Sequence, residues 1–295
     1  MSFGRYSLHR WKLPDLRRVE RLEELRKARS ELPGSVGFVP TMGALHQGHG
    51  KLLEKARSEC EAVICSIFVN PTQFGPEEDF AAYPRTLAED LQTCEAVGVD
   101  LVWTPRSEDI HLPGCETVVQ VTGLGGRFEG VSRPGHFQGV ATVVTKLFGA
   151  VAPHRAYFGQ KDLQQLILIT RMTRDLLMPI EIVPVETARD QNGLALSSRN
   201  RYLDQQQKVE AAAIYRGLQR VAEVAAGGQR EASYLEEVFR HEVSTLEGAG
   251  IERFDLLDPG LTRTFEKGES ITEGFCSVAV RYAGVRLIDN IKLCS

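Results

Sequence analysis

The sequence has neither long apolar runs nor an excess of positive charge. None of its apolar runs approaches the roughly 18 residues that indicate a membrane span, and no charged start followed by an apolar stretch marks a signal peptide. The formal net charge of -4 provides no general attraction for a nucleic acid backbone. We therefore expect neither a membrane nor a nucleic acid as a partner.

Closely spaced cysteine pairs are also missing. The sequence contains no CxxC motif, so a zinc knuckle or a disulfide framework is disfavoured and reduced thiols are expected. Reduced thiols favour a cytoplasmic location. The six cysteines are Cys60, Cys65, Cys94, Cys115, Cys276 and Cys294.

The first part of the chain alternates between two kinds of pattern. Short apolar runs at residues 36–39, 62–69, 99–104 and 180–185 are typical of buried strands, and helical patterns separate them. Those helical patterns cover residues 45–59, 86–97, 137–151 and 163–177. This alternation predicts an α/β unit with a mainly parallel sheet, ending near residue 186.

The pattern changes after residue 186. Residues 202–226 and 232–246 are predicted as amphipathic helices, and residues 254–257, 275–282 and 285–288 as strands, with a turn near Gly284. With 295 residues, 42% apolar and 25% charged, the chain is long enough for two domains. We expect an α/β domain over residues 1–186 and a smaller α+β C-terminal domain over 187–295, covering the first. The Gly-rich residues 123–135 are predicted as a long mobile loop.

Two histidines lie where the first apolar run gives way to a helical pattern. His46 and His49 belong to the stretch PTMGALHQGHGKL. The free backbone N–H groups and the positive dipole end of a helix start favour an anion there, so two imidazoles at this place could bind a phosphate. On spacing alone, a pair of solvated or core histidines, or two zinc ligands, fits as well.

Six ordered blocks between residues 36 and 204 extend this observation. They are PTMGALHQGH, SIFVNPTQF, YPRTLAEDL, RPGHFQGVATVVTKLF, FGQKDLQQL and GLALSSRNRYL, and a weaker similarity extends through RLIDN near the C-terminus. HQGH resembles the HxGH signature of the nucleotidylyl-transferase superfamily, and the six blocks together resemble the pantoate–beta-alanine ligase family. The resemblance implies a Rossmann-like N-terminal domain. It also implies that ATP and pantoate form pantoyl adenylate and pyrophosphate, after which β-alanine displaces AMP.

The resemblance also implies which residues carry this chemistry. Negative charge accumulates around the α-phosphorus during adenylation, so cationic groups or hydrogen-bond donors must surround it. The catalytic residues implied are His46, His49, Lys161, Ser197, Ser198 and Arg199. The ATP-binding residues implied are Pro40, Thr41, Met42, Gly43, His46, His49, Gly159, Lys161, Asp162, Ala188, Leu196, Ser197, Ser198 and Arg199.

Neutral amides suit a hydroxy acid because they offer donors and acceptors without adding a buried charge. The substrate-binding residues implied for pantoate and β-alanine are Met42, Asn70, Gln73, Arg133, His136 and Gln165. Simpler interpretations exist for several positions. Asn70 precedes a proline as in an ordinary turn, Asp162 resembles a helix-capping acid, and Arg199 could form a surface salt bridge.

Magnesium is expected with ATP because it neutralises the pyrophosphate that leaves. Glu89 and Asp90 resemble the acidic pair near the metal in the family. Adjacent helical residues point in different directions, however, so both could equally be solvated. The family resemblance further implies a homodimer.

Other functions share parts of this pattern. A nucleotidylyltransferase acting on another small molecule also carries HxGH but leaves the nucleotide on its product. A non-catalytic ATP sensor would bind nucleotide without needing His46 or His49 for chemistry. A class I aminoacyl-tRNA synthetase is disfavoured because the acidic chain leaves little room for a tRNA-binding module.

Overall fold

The computed structural model describes residues 16–76 and 78–293. Six parallel strands form one sheet in the order β1-β4-β3-β2-β5-β6. The strands are β1 (Arg17–Val19), β2 (Val36–Thr41), β3 (Ala62–Ile67), β4 (Leu101–Trp103), β5 (Arg155–Gly159) and β6 (Glu181–Val185). Their central members are almost wholly buried and apolar, as expected for a parallel sheet covered on both faces.

Helices cover both faces of this sheet. They are α1 (Leu22–Glu31), α2 (Gln47–Glu59), α3 (Leu87–Val97), α4 (Ser107–Ile110), α5 (Thr122–Gly125), α6 (Glu129–Ser132), α7 (His136–Val151) and α8 (Leu163–Asp175). Successive strand residues point to opposite faces of the sheet and pack into different buried clusters. Phe38 and Ile64 belong to one buried cluster, while Val39 and Cys65 belong to the other.

The strand order places a ligand position between β2 and β5. The chain leaves β2 for β3 on one side, and β5 pairs with β2 on the other side. Open α/β sheets bind ligands at such a reversal, outside the carboxyl ends of the strands. The segments that follow Thr41 and Gly159 therefore meet at one edge of the sheet.

The C-terminal part has its own sheet and core. Strands β7 (Gly250–Leu257), β8 (Gly274–Tyr282) and β9 (Val285–Leu293) are antiparallel in sequence order, and α9 (Gln205–Ala211), α10 (Ala213–Ala226) and α11 (Ala232–Val243) accompany them. A separate buried cluster runs from Leu194 to Leu293. The predicted fold class is confirmed: an α/β parallel sheet followed by a smaller α+β unit. The boundary at residue 186 stays a prediction.

Several element boundaries differ from expectation. The predicted helix 202–226 is two helices that meet at Ala212, and its first residue, Tyr202, ends a 3-10 turn at Ser198–Tyr202. Strand β7 begins four residues earlier than predicted, and β9 ends five residues later. The predicted turn is confirmed at Ala283 and Gly284, whose φ angles of 48° and 78° suit a tight hairpin.

The Gly-rich stretch is not one long loop, and that prediction was wrong. It contains α5 and α6, and the side chain of Gln164 accepts from the backbone N–H of Glu129 while donating to the carbonyls of Leu124 and Arg127. The Glu129 carboxylate pairs with Arg286 on β9. These bonds anchor the segment to α8 and to the C-terminal sheet.

The cysteines of the described ranges carry free thiols. Cys60, Cys65, Cys94 and Cys276 are buried and Cys115 is exposed, whereas Cys294 lies outside the described residues. Residues 1–15 of the predicted first domain also lie outside them. None of the helices within residues 16–76 and 78–293 combines the length and apolar character needed to cross a bilayer.

Candidate active site

A cavity of about 250 Å³ opens at the carboxyl ends of β2 and β5. It adjoins a larger cleft of about 1010 Å³ that reaches the C-terminal sheet and shares Lys161, Ser197 and Arg199 with it. Of the residues predicted to bind ATP or the other substrates, those lining the cavity are Pro40, Thr41, Met42, His46, His49, Asn70, Gln73, Arg133, His136, Gly159, Lys161, Asp162, Gln165, Ala188, Leu196, Ser197, Ser198 and Arg199. Five stretches of the chain therefore meet in one place.

The two histidines are oriented by the start of α2. His46 is the N-cap of the helix, and its Nδ1 accepts from the backbone N–H of Gly48 at 3.0 Å. Nδ1 of His49 accepts from the backbone N–H of His46 at 3.3 Å. Because both Nδ1 atoms are acceptors, the proton of each neutral ring sits on Nε2. The rings lie 4.1 Å apart between centroids and both line the cavity.

Both imidazoles are neutral near pH 7. Burial, and then the charge of Lys161, lowers the pKa of His46 to about 4. Burial, and then the neighbouring His46, lowers the pKa of His49 to about 3. The pair therefore presents two neutral N–H donors to the cavity rather than two cations.

The position of Gly48, between the histidines, has no room for a side chain. A Cβ at this position would lie 2.7 Å from Cε1 and 2.8 Å from Nδ1 of His46. Any larger residue would therefore push the imidazole out of its position. This is the physical reason for a glycine inside the HxGH pattern.

The loop before the histidines is held from outside the cavity. The Asp90 carboxylate accepts from the backbone N–H groups of Ala44 and Leu45 at 3.0 and 2.7 Å, and also from Thr86 Oγ1. Gly43 has a φ of +79°, and an added Cβ would lie 2.9 Å from Asp90 Oδ2. Gly43 does not line the cavity. Gly43 therefore shapes the turn, and its predicted ATP contact stays a prediction.

The acidic pair predicted as metal ligands is not gathered at the site. Asp90 is 1% exposed and its carboxylate is engaged by the loop, whereas Glu89 is exposed on the other side of α3. Neither residue lines the cavity. Within residues 16–76 and 78–293, no group of three or more His, Cys, Asp or Glu side chains could hold a metal ion. A metal site at Glu89 and Asp90 stays a prediction.

Lys161 lines the same cavity as the histidines. It belongs to the 3-10 turn Gln160–Asp162 that joins β5 to α8. Its side chain is 18% exposed, and its Nζ lies 3.7 Å from Asp162 Oδ1. A Cβ on Gly159 would meet no atom within 4 Å, so the backbone there faces open space. The turn after β5 thus brings an ammonium and an open stretch of backbone to the cavity that the histidines line.

The Ser-Ser-Arg segment closes a third side. Ser197 Oγ accepts from the backbone N–H of Arg199 at 3.2 Å, which starts the 3-10 turn. The Arg199 guanidinium pairs with Asp79 at 2.9 Å while lining the cavity. Burial lowers the pKa of Arg199, but the bond to Asp79 outweighs this and keeps it above its usual value. Arg199 thus forms a salt bridge and also lines the cavity.

The side chain of Asn70 forms its hydrogen bonds mainly with other residues of the protein. It is 1% exposed, and its amide donates to Gln73 Oε1 at 3.2 Å and to the carbonyl of Gly139 at 3.3 Å. Its Oδ1 accepts from Thr72 and lies 2.9 Å from His111 Nε2. These bonds leave Asn70 little capacity for a ligand. They orient Gln73, whose amide faces the cavity beside Met42.

Arg133 and His136 form a connected group at the cavity rim. Arg133 donates to both Glu78 oxygens at 2.8 and 2.6 Å, and to His136 Nε2 at 3.0 Å. His136 in turn donates from Nδ1 to the carbonyl of Gln73 at 2.8 Å. Burial and the charge of Arg133 lower the pKa of His136 to about 4. The predicted substrate residues are therefore preorganised by ion pairing.

Three further residues belong to this site and were not predicted from the sequence. Glu78 and Asp79 neutralise Arg133 and Arg199, and Tyr83 lines the cavity. Tyr83 stands inside the recognised block YPRTLAEDL, so that block was a usable signal. Glu78 and Asp79 lie between blocks, where no pattern pointed to them.

The fold and cavity define an α/β enzyme that handles a nucleotide at the reversal of strand order. A family model described as pantoate-beta-alanine ligase matches residues 16–292. The pantothenate synthetase of Chloroflexus aggregans is 50% identical over 273 residues, covering 92% of this chain and 98% of that protein. The chain belongs to the pantoate-beta-alanine ligase family.

Solved structures agree with this assignment. The pantothenate synthetase of Thermus thermophilus has a TM-score of 0.88 and 43% identity, covering 95% of this chain and all of that one. The pantoate-beta-alanine ligase of Francisella tularensis, complexed with beta-gamma ATP and beta-alanine, has a TM-score of 0.78 and 35% identity. That match covers 94% of this chain and 98% of the other.

Proposed function

We propose that the cavity between β2 and β5 condenses pantoate with β-alanine at the expense of ATP. The reaction passes through pantoyl adenylate and releases pyrophosphate and then AMP. One observation carries this proposal. Neutral imidazole donors, an ammonium and a Ser-Ser-Arg turn face a single cavity in a chain of the pantoate-beta-alanine ligase family.

The adenylation step explains the donor set. The pantoate carboxylate attacks the α-phosphorus, and charge develops on its non-bridging oxygens and on the leaving pyrophosphate. His46 and His49 donate from Nε2 on one side, and Lys161 with Arg199 supplies positive charge from the other. Removing one such donor is expected to cost about 3 to 4 kcal/mol of barrier, or about 10²- to 10³-fold in rate.

Pantoate is assigned to the amide side of the cavity. Gln73 and Gln165 line it together with Met42, and neutral amides can bond the carboxylate and hydroxyl groups without burying another charge. Arg133 and His136 lie at the rim, next to the segment that contains α5 and α6. We propose that this rim limits access of water to the mixed anhydride before the β-alanine amine arrives.

Magnesium is proposed as part of the substrate, entering as its complex with ATP. The described residues offer no acidic cluster for a resident ion. A divalent ion bound to the phosphates would neutralise the pyrophosphate charge without needing protein ligands of its own. Two further expectations follow from the family and the composition: a homodimer and a cytoplasmic location. Light scattering of the purified protein would test the first.

The test is an omission experiment. Purified protein is incubated with ATP, magnesium, pantoate and β-alanine, and each component is left out in turn. Pyrophosphate release must depend on pantoate, and AMP release must depend on β-alanine. ATP turnover indifferent to pantoate would exclude the proposal.

Mass spectrometry of the product separates the alternatives. A nucleotidylyltransferase acting on another small molecule would leave the nucleotide on its product, whereas the ligase yields pantothenate and free AMP. A nucleotide sensor would bind ATP and produce neither.

A further inference from the structure

The sequence block RLIDN lies on β9, and two of its residues reach the active-site segments. Asp289 is 4% exposed and Asn290 is 9% exposed, so both polar side chains are buried. Buried polar groups need hydrogen-bond partners. The partners of these two belong to the loops that carry Lys161 and Ser197.

Asn290 holds the turn after β5. Its Nδ2 donates to the carbonyls of Gln160 and Lys161, each at 2.9 Å. Both amide hydrogens are therefore used on consecutive carbonyls of the turn that bears the lysine. This fixes the backbone from which the Lys161 side chain extends into the cavity.

Asp289 holds the loop before the Ser-Ser-Arg turn. Its carboxylate pairs with both terminal nitrogens of Arg189 at 2.6 and 3.0 Å. Arg189 also donates to the carbonyl of Gly193 at 3.1 Å and lies 3.4 Å from the ring centroid of Tyr215. Arg189 is bridged to Ala195, so its position sets the exit of the chain toward Ser197.

We propose that Asp289 and Asn290 are a positioning pair that sets Lys161 and the Ser197–Arg199 turn at a fixed distance around the triphosphate. This inference rests on the proposed function of the cavity. The two side chains come from consecutive residues of one strand, and Asp289 Oδ1 also accepts from the backbone N–H of Asn290 at 2.8 Å. Both loops are thereby bonded to adjacent residues of one strand.

A purely structural pair would make a different prediction. If these bonds only satisfied buried polar groups, their loss would lower the stability of the fold, and the remaining folded protein would adenylate normally. If they position the loops, catalysis falls in protein that is still folded. Misplacing a reacting group by about 1 Å can cost about 10²-fold in rate.

The first experiment uses full-length Asn290→Ala, with Lys292→Ala as control. Lys292 lies on the same strand, is exposed, and lies 3.8 Å from Glu273. We expect single-turnover adenylate formation, with saturating ATP and pantoate, to fall about 10- to 100-fold in Asn290→Ala. The control retains the wild-type rate. Circular dichroism confirms that both variants are folded during the assay.

The second experiment is a double-mutant cycle with Lys161→Ala. If Asn290 acts through Lys161, Asn290→Ala lowers the rate by no more than about twofold in the Lys161→Ala background. Independent, additive losses would overturn the proposal for Asn290. Equal ATP turnover by wild type and Asn290→Ala would overturn it as well.

Asp289→Asn keeps the volume of the side chain and provides the test if Asn290→Ala does not fold. It removes the charge opposite Arg189, and we expect a weaker affinity for ATP with magnesium, measured by calorimetry. Unchanged affinity and unchanged adenylation in this variant would overturn the proposal. If wild type itself shows no pantoate-dependent pyrophosphate release, the proposed function fails. If wild type is active and the variants are equally active, the proposed function stands and the positioning pair fails.

Discussion

The backbone N–H of His46 donates to Nδ1 of His49 at 3.3 Å. This single contact decides the chemistry of His49, because a ring that accepts at Nδ1 must carry its proton at Nε2. The corresponding bond from Gly48 does the same for His46. The helix start therefore uses its own backbone donors to aim two imidazole N–H groups at the cavity, instead of offering those backbone donors directly to a phosphate.

Stability should fall on acidification because of this arrangement. The folded pKa values of about 4 for His46 and about 3 for His49 lie below the ordinary value near 6.5. The unfolded chain therefore binds protons first, and the free energy of unfolding decreases as the pH falls from about 7 toward 3. His46→Asn combined with His49→Asn retains acceptors near the Nδ1 positions but removes this titration.

We expect urea unfolding between pH 7.5 and pH 4.5 to show a smaller loss of stability in that double variant than in wild type. The difference should be about 1 to 3 kcal/mol per imidazole. Parallel pH profiles of the two proteins would show that the histidines are not held neutral in the folded state.

Gly48→Ala should damage catalysis more than stability. The new methyl group would lie 2.7 Å from His46 Cε1, so the imidazole must turn and lose its bond to the backbone of residue 48. We expect pantoate-dependent pyrophosphate release to fall about 100-fold.

Gly50→Ala is the matched control, since Gly50 lies in the same helix and a Cβ there would meet no atom within 4 Å. Its activity should equal wild type, and its stability should rise by about 0.5 to 1 kcal/mol because alanine favours the helix interior. A normal rate in Gly48→Ala would contradict the spatial argument.

Local patterns were sufficient where the fold is governed by local rules. The first apolar run and the helical pattern after it predicted β2 and α2, and hence the place of His46 and His49. The reversal of strand order then brings the turn after β5, with Lys161, to the same edge. Elements of four residues, such as α5 and α6, are too short to show helical periodicity. The break at Ala212 carries no glycine or proline to mark it.

Contacts between distant residues could not be predicted from spacing. Glu78 pairs with Arg133, 55 positions away, and Asp79 pairs with Arg199, 120 positions away. Their partners depend on how distant segments of the chain pack together. The same reason applies to Asp90: its position in α3 shows that it is on a helix, but only tertiary packing turns it toward the loop at Ala44.

Asp90→Asn should weaken the fold and leave the magnesium requirement unchanged. An amide at this position keeps the size of the side chain but has one acceptor oxygen and no charge. It therefore cannot accept from the N–H groups of both Ala44 and Leu45 as the carboxylate does. We expect a loss of about 1 to 3 kcal/mol in the free energy of unfolding. Glu89→Gln, on the exposed side of α3, should match wild type in both respects. A higher magnesium concentration for half-maximal activity in either variant, with normal stability, would support a metal role for that residue.

Gln73→Ala should raise the KM for pantoate by about 10- to 100-fold, the range expected for lost hydrogen bonds to a charged group, while ATP affinity stays close to wild type. Asn70→Ala tests how Gln73 is held. Because Asn70 donates to Gln73 Oε1 and to the carbonyl of Gly139, its removal should raise the same KM by a smaller factor and also destabilise the fold by about 1 to 3 kcal/mol.

The double variant of Asn70 and Gln73 separates positioning from direct binding. If Asn70 acts on pantoate only by orienting Gln73, adding Asn70→Ala to Gln73→Ala leaves the KM for pantoate unchanged, although the stability loss remains. Initial-rate kinetics at saturating ATP measures this KM. A further rise of the KM in the double variant would mean that Asn70 contacts the hydroxy acid itself, although its amide nitrogen and its amide oxygen are both already bonded to the protein.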